Sequence, residues 1–383
     1  MSLGRGDRRT PRRLCLVVAA AALVAVVVLS TWIGAQARAV VVLASVLDTS
    51  VLSDVAGALT REPRTDDELV AGVPTAVFRP GGDGPWRVVV FVNGVTRRGR
   101  FHPTVRRLAT GLARTGHLTL VPDPPGLSAG ELTPTTLERL VAVADAALAR
   151  PDARGRVAFI GVSAGGSLAL LAAADPRLCE RVSVVAAVAP YADLRDVVRL
   201  ATTGFHLEHG RLYRYRVDPF VSLVAGRALA AALPPGRDRR ILLTLLRAVP
   251  DESQAPLVGV RARPLRRLGR DGRALAALLR NRDPRRFDRV FASLPPRVRA
   301  AARALSPLLV ARRLCAPVEL VTAPHDKYFP PAESRALTRV APHARLTVSA
   351  EFHHAELEPS LSRLGDLARL DAFVVRTLHA ARR

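Results

Sequence analysis

The sequence predicts an α/β protein, a mostly parallel sheet with helices on both faces and one long helical insertion. Short apolar, β-branched runs alternate with helical segments over 68–190, and the alternation resumes over 310–383. Between them, 191–309 holds helix-like segments and no convincing strand. At one strand-to-helix junction stands Gly161-Val162-Ser163-Ala164-Gly165, a G-x-S-x-G pattern.

Before this core comes a different kind of chain. Met1 to Arg13 carries five arginines against one acid, Asp7. Residues 14–33 then run twenty positions without a charge. At about 1.5 Å per residue that length crosses a bilayer's hydrocarbon core. The basic flank predicts a cytoplasmic tail over 1–13, a signal anchor over 14–33 and an exported remainder. Ala35-Gln36-Ala37 resembles a signal-peptidase site, so a cleaved leader is the rival reading. The apolar stretch Ala39 to Leu47 is too short to span; it either lies at the interface or packs on the folded domain. Residues 34–67 are expected to be a juxtamembrane segment and linker, polar from Thr60 onward.

The strands then follow in order. Glu68 to Arg79 reads as an early strand. Arg87 to Val92 is a buried one that ends in Asn93-Gly94-Val95-Thr96. Phe101 to Gly116 is helical in pattern. His117 to Val121 is the next strand, leading into the loop Pro122-Asp123-Pro124-Pro125-Gly126. Pro134 to Ala149 forms an amphipathic helix, and Val157 to Val162 is the strand before the motif. Val182 to Ala189 follows as another apolar strand. After the insertion, Pro317 to Thr322 and Ala344 to Ala350 are strands. Pro331 to Val340 and Ser360 to Arg382 are helices. An insertion of this size is usually functional, often a lid; the bland reading is a separate helical domain.

Charge narrows the function classes. The chain of 383 residues has 57 basic and 33 acidic residues, for a net +24. Lys327 is the only lysine. Nucleic-acid binding is a poor fit, because the arginines are scattered along helices, aromatics make up 4% and no recognition motif appears. A basic surface beside an anionic membrane fits better. Cys15, Cys179 and Cys315 lack metal-ligand spacing, and no metal or organic cofactor is implied.

The motif has a mechanical reason. A nucleophile elbow turns from strand to helix within a few residues and strains its serine, so its neighbours must be small. Gly161, Ala164, Gly165 and Gly166 are small. A serine hydroxyl also needs a base, and the base needs a carboxylate to hold its tautomer. Ser163, then Asp326, then a histidine at 353 or 354 occur in that order, each just after a strand. In an open parallel sheet those strand ends share one edge, where ligands bind. His325 reads as a loop residue. His102, His206 and His209 read as surface or cap residues.

At these residues the chain resembles the α/β-hydrolases, and within them it is similar to dienelactone-hydrolase and acyl-peptidase-like esterases. The resemblance rests on VAFIGVSAGG (157–166), PDPPGL (122–127), APHDKYFP (323–330) and FHH (352–354). It implies the α/β-hydrolase fold with a helical cap over 191–309. It implies Ser163 as nucleophile, Asp326 as acid and His354 as base, with His353 the alternative. It also implies an oxyanion hole from the backbone N–H groups of Val95 and Ala164. Asn93 departs from the usual His-Gly pair there. The implied function is a serine hydrolase, carboxylesterase-like, acting on a small-molecule acyl substrate. The other readings are an acyltransferase with the same triad and a catalytically silent scaffold on this fold.

The implied strand order also makes the strands at Val182 and Pro317 parallel neighbours. Cys179 and Cys315 then approach one sheet edge at a spacing a disulfide can bridge. Two buried free thiols are the alternative.

Overall fold

A computed structural model of the protein describes residues 33–46, 57, 60–250, 262–350, 352–353, 356–357 and 364–383. The chain enters through a helix over 33–46, α1. β1 (Arg64–Val70) and β2 (Val73–Arg79) form a hairpin, and β3 (Trp86–Val92) follows. Then come α2 (Pro103–Arg114), β4 (His117–Pro122), α3 (Pro134–Leu148), β5 (Ala153–Val162), α4 (Ala164–Ala173) and β6 (Val182–Val188).

The insertion begins with α5 (Leu194–Thr203), the small hairpin β7 (Phe205–Glu208) and β8 (Arg211–Arg214), and α6 (Pro219–Ala231). It continues through α7 (Arg237–Arg247), α8 (Ala262–Arg266), α9 (Arg270–Arg280), α10 (Phe287–Ala292) and α11 (Pro296–Ala304). The rest is β9 (Val318–Thr322), α12 (Pro331–Val340), β10 (Ala344–Val348), the short pair β11 (Phe352–His353) and β12 (Glu356–Leu357), and α13 (Leu364–Ala380).

Eight strands make one sheet in the order β1-β2-β4-β3-β5-β6-β9-β10. β1 and β4 flank β2 antiparallel, and every other pairing is parallel. The β-branched runs occupy the middle because a strand buried on both faces needs apolar side chains on both. β6 is buried at six of its seven positions, and its seventh, Val188, is half-buried.

Two apolar cores sandwich the sheet. On one face α3, α4 and the insertion pack against Val88, Phe159 and Val185. On the other, α1, α2 and α13 pack against Val89, Ile160 and Val184. α4 is buried along its whole length, which its composition of Ala, Gly, Leu and one Ser allows.

Two expectations are corrected here. The polar stretch read as linker contains most of β1, an edge strand whose first four residues are exposed. Its charges hid the strand. Arg79 on β2 reaches Asp66 and Glu68 at 2.5 Å each, and Arg150 reaches Glu68 at 2.8 Å. Charged side chains of this kind blunt an open sheet edge. The insertion also contains a hairpin, not helices alone. Glu208 pairs with Arg211 around His209-Gly210, both with positive φ (50° and 77°). Four-residue strands show too little alternation to register as a pattern.

The predicted span 14–33 lies outside the described residues except for Ile33. Among the described residues no helix is long and apolar enough to cross a membrane. The short apolar stretch after it packs on the domain. Ala39 and Val42 of α1 are buried with Val105, Ala109 and Phe373. Gly111 of α2 permits the close crossing, since a Cβ there would stand 2.7 Å from Ser45 Oγ.

Cys179 and Cys315 form a disulfide, with Cα atoms 5.5 Å apart. β6 and β9 are hydrogen-bonded neighbours, so the residues leading into them meet at one edge.

Candidate active site

Ser163 sits between β5 and α4 with φ 56° and ψ −129°, a conformation that costs free energy in any residue but glycine. Its surroundings hold it there. Its N–H donates to the carbonyl of Val188 at 2.7 Å, which ties the turn to β6. The chain around it is too tight for larger residues. A Cβ on Gly165 would lie 2.3 Å from the carbonyl oxygens of Val92 and Asn93. One on Gly161 would lie 2.5 Å from the carbonyl oxygen of Gly165. The glycines of the motif are therefore required by backbone approaching backbone.

The loop after β3 backs this turn. A Cβ on Gly94 would stand 3.3 Å from Ser163 Cβ. Gly94, Val95, Ser163 and Ala164 all line one cavity of about 370 Å³. Ala164 is the first residue of α4, whose N-terminal N–H groups have no partner within the helix. Val95 and Ala164, predicted from the resemblance as oxyanion donors, thus border the same space as the serine. Asn93 is 1% exposed. Its Nδ2 donates to the carbonyl of Gly94 at 2.9 Å, and its Oδ1 has no hydrogen-bond partner among the described residues.

Asp326 is 1% exposed in the loop after β9. Its Oδ1 accepts from the N–H groups of Tyr328 at 2.8 Å and Phe329 at 3.0 Å, which fixes the carboxylate's orientation. The next three residues, Lys327, Tyr328 and Phe329, line the cavity with Ser163. The insertion clamps this loop. Tyr215 donates its hydroxyl to the carbonyl of Asp326 at 2.6 Å, and the Asp218 N–H donates to the carbonyl of Lys327 at 2.7 Å.

His353 lies in β11, paired with Glu356 across the β11–β12 ladder. His354 lies outside the described residues. His325 borders a second cavity of about 480 Å³, which also touches Asp326 and Tyr215. Two histidines read as surface or cap residues sit differently. His102 does cap α2, but it also lines the serine's cavity. Burial, with Arg98 and Arg107 nearby, lowers its pKa and keeps it neutral at neutral pH. His206 is buried, its ring 5.8 Å from those of both Tyr213 and Tyr215. Among the described residues no group of His, Cys, Asp and Glu could hold a metal ion.

Other residues at the site had no motif to mark them. Tyr191 is fully buried in the cavity wall, its ring edge-on to Phe329 at 5.7 Å. Its hydroxyl has no hydrogen-bond partner among the described residues, and burial raises its pKa. Glu333 of α12 accepts from the N–H groups of Ala192 at 2.7 Å and Asp193 at 3.2 Å, bracing the entrance to α5. A compositional signal did exist. Of the four tyrosines, Tyr191 and Tyr328 line the cavity and Tyr215 grips the loop that carries Asp326, in a chain with 4% aromatics.

The strand order, the antiparallel second strand and the insertion after β6 decide the architecture. It is the α/β-hydrolase fold. Among solved structures, the chain is similar to a 2,6-dihydroxy-pseudo-oxynicotine hydrolase, at 16% identity over 86% of this chain and 72% of that one, with TM-score 0.45. It is also similar to a dienelactone hydrolase from Anabaena variabilis, at 16% identity over 83% of this chain and 98% of that one, with TM-score 0.43. A third is a puromycin-hydrolyzing peptidase from Mycobacterium tuberculosis, at 18% identity and TM-score 0.45; this chain covers 38% of its length. These neighbours are hydrolases, but likeness this distant says nothing of the reaction here. No family model matches the sequence, and no curated protein matches it.

Proposed function

We propose that the protein is a serine hydrolase that cleaves an ester or related acyl bond through an acyl-enzyme on Ser163. The observation that carries this reading is the strained serine, φ 56°, at the head of a buried helix and bordering a cavity of about 370 Å³. Strain of this kind persists only where surrounding structure enforces it, and it concentrates at functional sites.

In this reading Ser163 Oγ attacks the acyl carbon while a histidine, His354 or His353, takes its proton. The carbonyl oxygen becomes an oxyanion, received by the N–H groups of Val95 and Ala164. Collapse expels the alcohol, which takes the proton back from the histidine. Water then repeats the sequence on the acyl-enzyme and releases the acid. Asp326, held by two N–H donors, orients the histidine and balances its charge.

The same reading places the enzyme at a membrane, anchored by 14–33 with the catalytic domain outside the cytoplasm. The uncharged run behind five arginines supports the anchor. The Cys179–Cys315 disulfide supports an oxidising compartment.

The direct test is fluorophosphonate labelling of the wild type and of Ser163→Ala, alongside turnover of short p-nitrophenyl esters. Labelling and turnover should both disappear in the variant, with thermal unfolding unchanged. Turnover near the wild-type rate in Ser163→Ala removes this serine from the mechanism.

A further inference from the structure

At the amino edge of the sheet, the edge away from Ser163, arginines gather on one face. Arg87 near the start of β3 lies in register with His117, the first residue of β4, and with Arg154 near the start of β5. Neighbouring strands are about 4.8 Å apart, so the three stand in one row. Val89, two residues along β3, belongs to the core under α1, α2 and α13. Side chains two apart on a strand share a face, which puts the row on that face. Two more arginines come from the helices that cover it. Arg38 belongs to α1, and Arg382 follows the end of α13.

These four guanidinium groups feel one another and no acid. Burial and then Arg382 lower the pKa of Arg38; burial, then Arg154 and Arg382, lower that of Arg87. None of the four makes a side-chain hydrogen bond or ion pair among the described residues. The acids of this edge are engaged elsewhere. Arg79 holds Asp66, Glu68 and Asp152, and Arg150 holds Glu68 and Asp152. Asp371 of α13 is met by Gln36 of α1, whose amide donates at 3.0 Å. Arg154 and Arg382 are exposed, and Arg38 and Arg87 are half-buried, so each keeps surface open to solvent. His117 lies behind them, fully buried, with Nδ1 2.9 Å from Thr115 Oγ1. Burial, with Arg382, Arg38 and Arg87, lowers its pKa to about 4, so it adds no charge at neutral pH. Half-buried like charges without a counter-ion are costly, and an anion among them removes that cost.

We propose that Arg38, Arg87, Arg154 and Arg382 form a binding site for a phosphate group, carried by a soluble phosphate or by a lipid headgroup. Guanidinium forks bond phosphate oxygens in pairs. A phosphate offers several acceptor oxygens to several arginines at once, whereas a carboxylate has two oxygens and one charge. The place in the chain suits a lipid as well as a solute. The uncharged run 14–33 ends at Ile33, and Arg38 is five residues further, about 8 Å along α1. With that run in a bilayer, the cluster stands at headgroup depth. Bound phosphate would tie α1 and α13 to the sheet edge. Nothing in this proposal depends on the chemistry at Ser163.

The test reads the thermal unfolding midpoint of the purified full-length protein in uncharged detergent at pH 7. Sodium phosphate is titrated in while sodium chloride holds the ionic strength constant. The wild-type midpoint should rise and saturate, giving an apparent Kd. Arg87→Gln combined with Arg154→Gln should weaken that Kd about tenfold or more, and Arg38→Gln should do the same. Arg289→Gln with Arg303→Gln removes as much charge from exposed positions of the insertion and should leave the Kd unchanged. The two stabilities should also cross. In chloride alone the Arg87/Arg154 variant should be at least as stable as the wild type, because like charges have been removed. In saturating phosphate the wild type should be the more stable. A second arm replaces phosphate with phosphatidylglycerol in mixed micelles, against phosphatidylcholine, whose headgroup carries no net charge.

A saturable response to inorganic phosphate alone supports the site with a soluble source. A response to phosphatidylglycerol, lost in the cluster variants, supports it with a lipid source. No saturable response in either arm overturns the proposal. Equal responses in the cluster variants and the insertion control overturn it too, since they show a general salt effect. A cluster variant that falls below the wild type by the same margin in chloride and in phosphate gives these arginines a packing role only, and that also overturns the site.

Discussion

Glu333 should make this protein lose stability as pH rises across the neutral range. Its carboxyl is fully buried, and burial pushes its pKa from 4.5 up to about 8. Asp196 and Asp193 push the same way, while the N–H groups of Ala192 and Asp193 pull back. Asp196 is itself raised to about 6, chiefly by burial. Below pH 4.5 Glu333 is protonated whether the chain is folded or not, and its contribution is fully present. Between pH 4.5 and about 8 the folded state keeps a proton that the unfolded chain releases. Stability therefore falls by up to about 1.4 kcal/mol per pH unit, summing to about 5 kcal/mol over that window. Above about pH 8 the slope from this group vanishes.

Glu333→Gln retains an oxygen that can accept from both N–H groups and cannot titrate. Urea unfolding of wild type and variant at pH 5.5, 6.5, 7.5 and 8.5 isolates the group and its coupling to Asp196 and Asp193, because charges that do not interact with it cancel in the difference. The variant should gain on the wild type steadily, overtaking it toward pH 8. Parallel pH profiles for the two proteins would refute the buried, protonated carboxyl.

Removing the disulfide with Cys179→Ser and Cys315→Ser opens a loop with a sequence separation of 136. The unfolded chain then gains entropy worth up to about 5 kcal/mol, and an unchanged denaturation midpoint would show that the bond contributes nothing. Gly165→Ala sets a Cβ 2.3 Å from two carbonyl oxygens, so the elbow must move. The cost should be about 1–3 kcal/mol or more in unfolding, with slower fluorophosphonate labelling; labelling at the wild-type rate would contradict the tight turn. His354→Ala should lower kcat/KM by about a thousandfold or more, and His353→Ala far less. The reverse ranking moves the base to His353.

Much of the site was legible because its chemistry is local. The elbow's requirement for small residues is written into five consecutive positions. The loop that carries Asp326 was readable from its place after an apolar strand, and the strands themselves from runs such as Arg87 to Val92. Elements whose reason for existing is a distant partner were harder. β1 is a strand because β2 pairs with it and Arg79 and Arg150 hold its acids, and none of that appears in Arg64–Val70 alone. The β7–β8 hairpin is too short to carry a period of its own.

From the sequence alone came the alternation that makes a parallel sheet, the order of Ser163, Asp326 and the histidine pair after successive strands, and the break in rhythm at the insertion. Each depends on neighbours along the chain, which backbone sterics and side-chain periodicity govern. The tertiary structure decided which distant groups meet. It closed Cys179 onto Cys315, where the strand order had allowed either a bond or two free thiols. It laid α1 against α2 and α13. It buried Glu333 under the start of α5 and hung Asp326 from Tyr215. It also set the cavity astride the sheet with walls from both cores. Contacts between residues a hundred or more positions apart are selected by the packing of whole layers. No local pattern in the sequence records that selection.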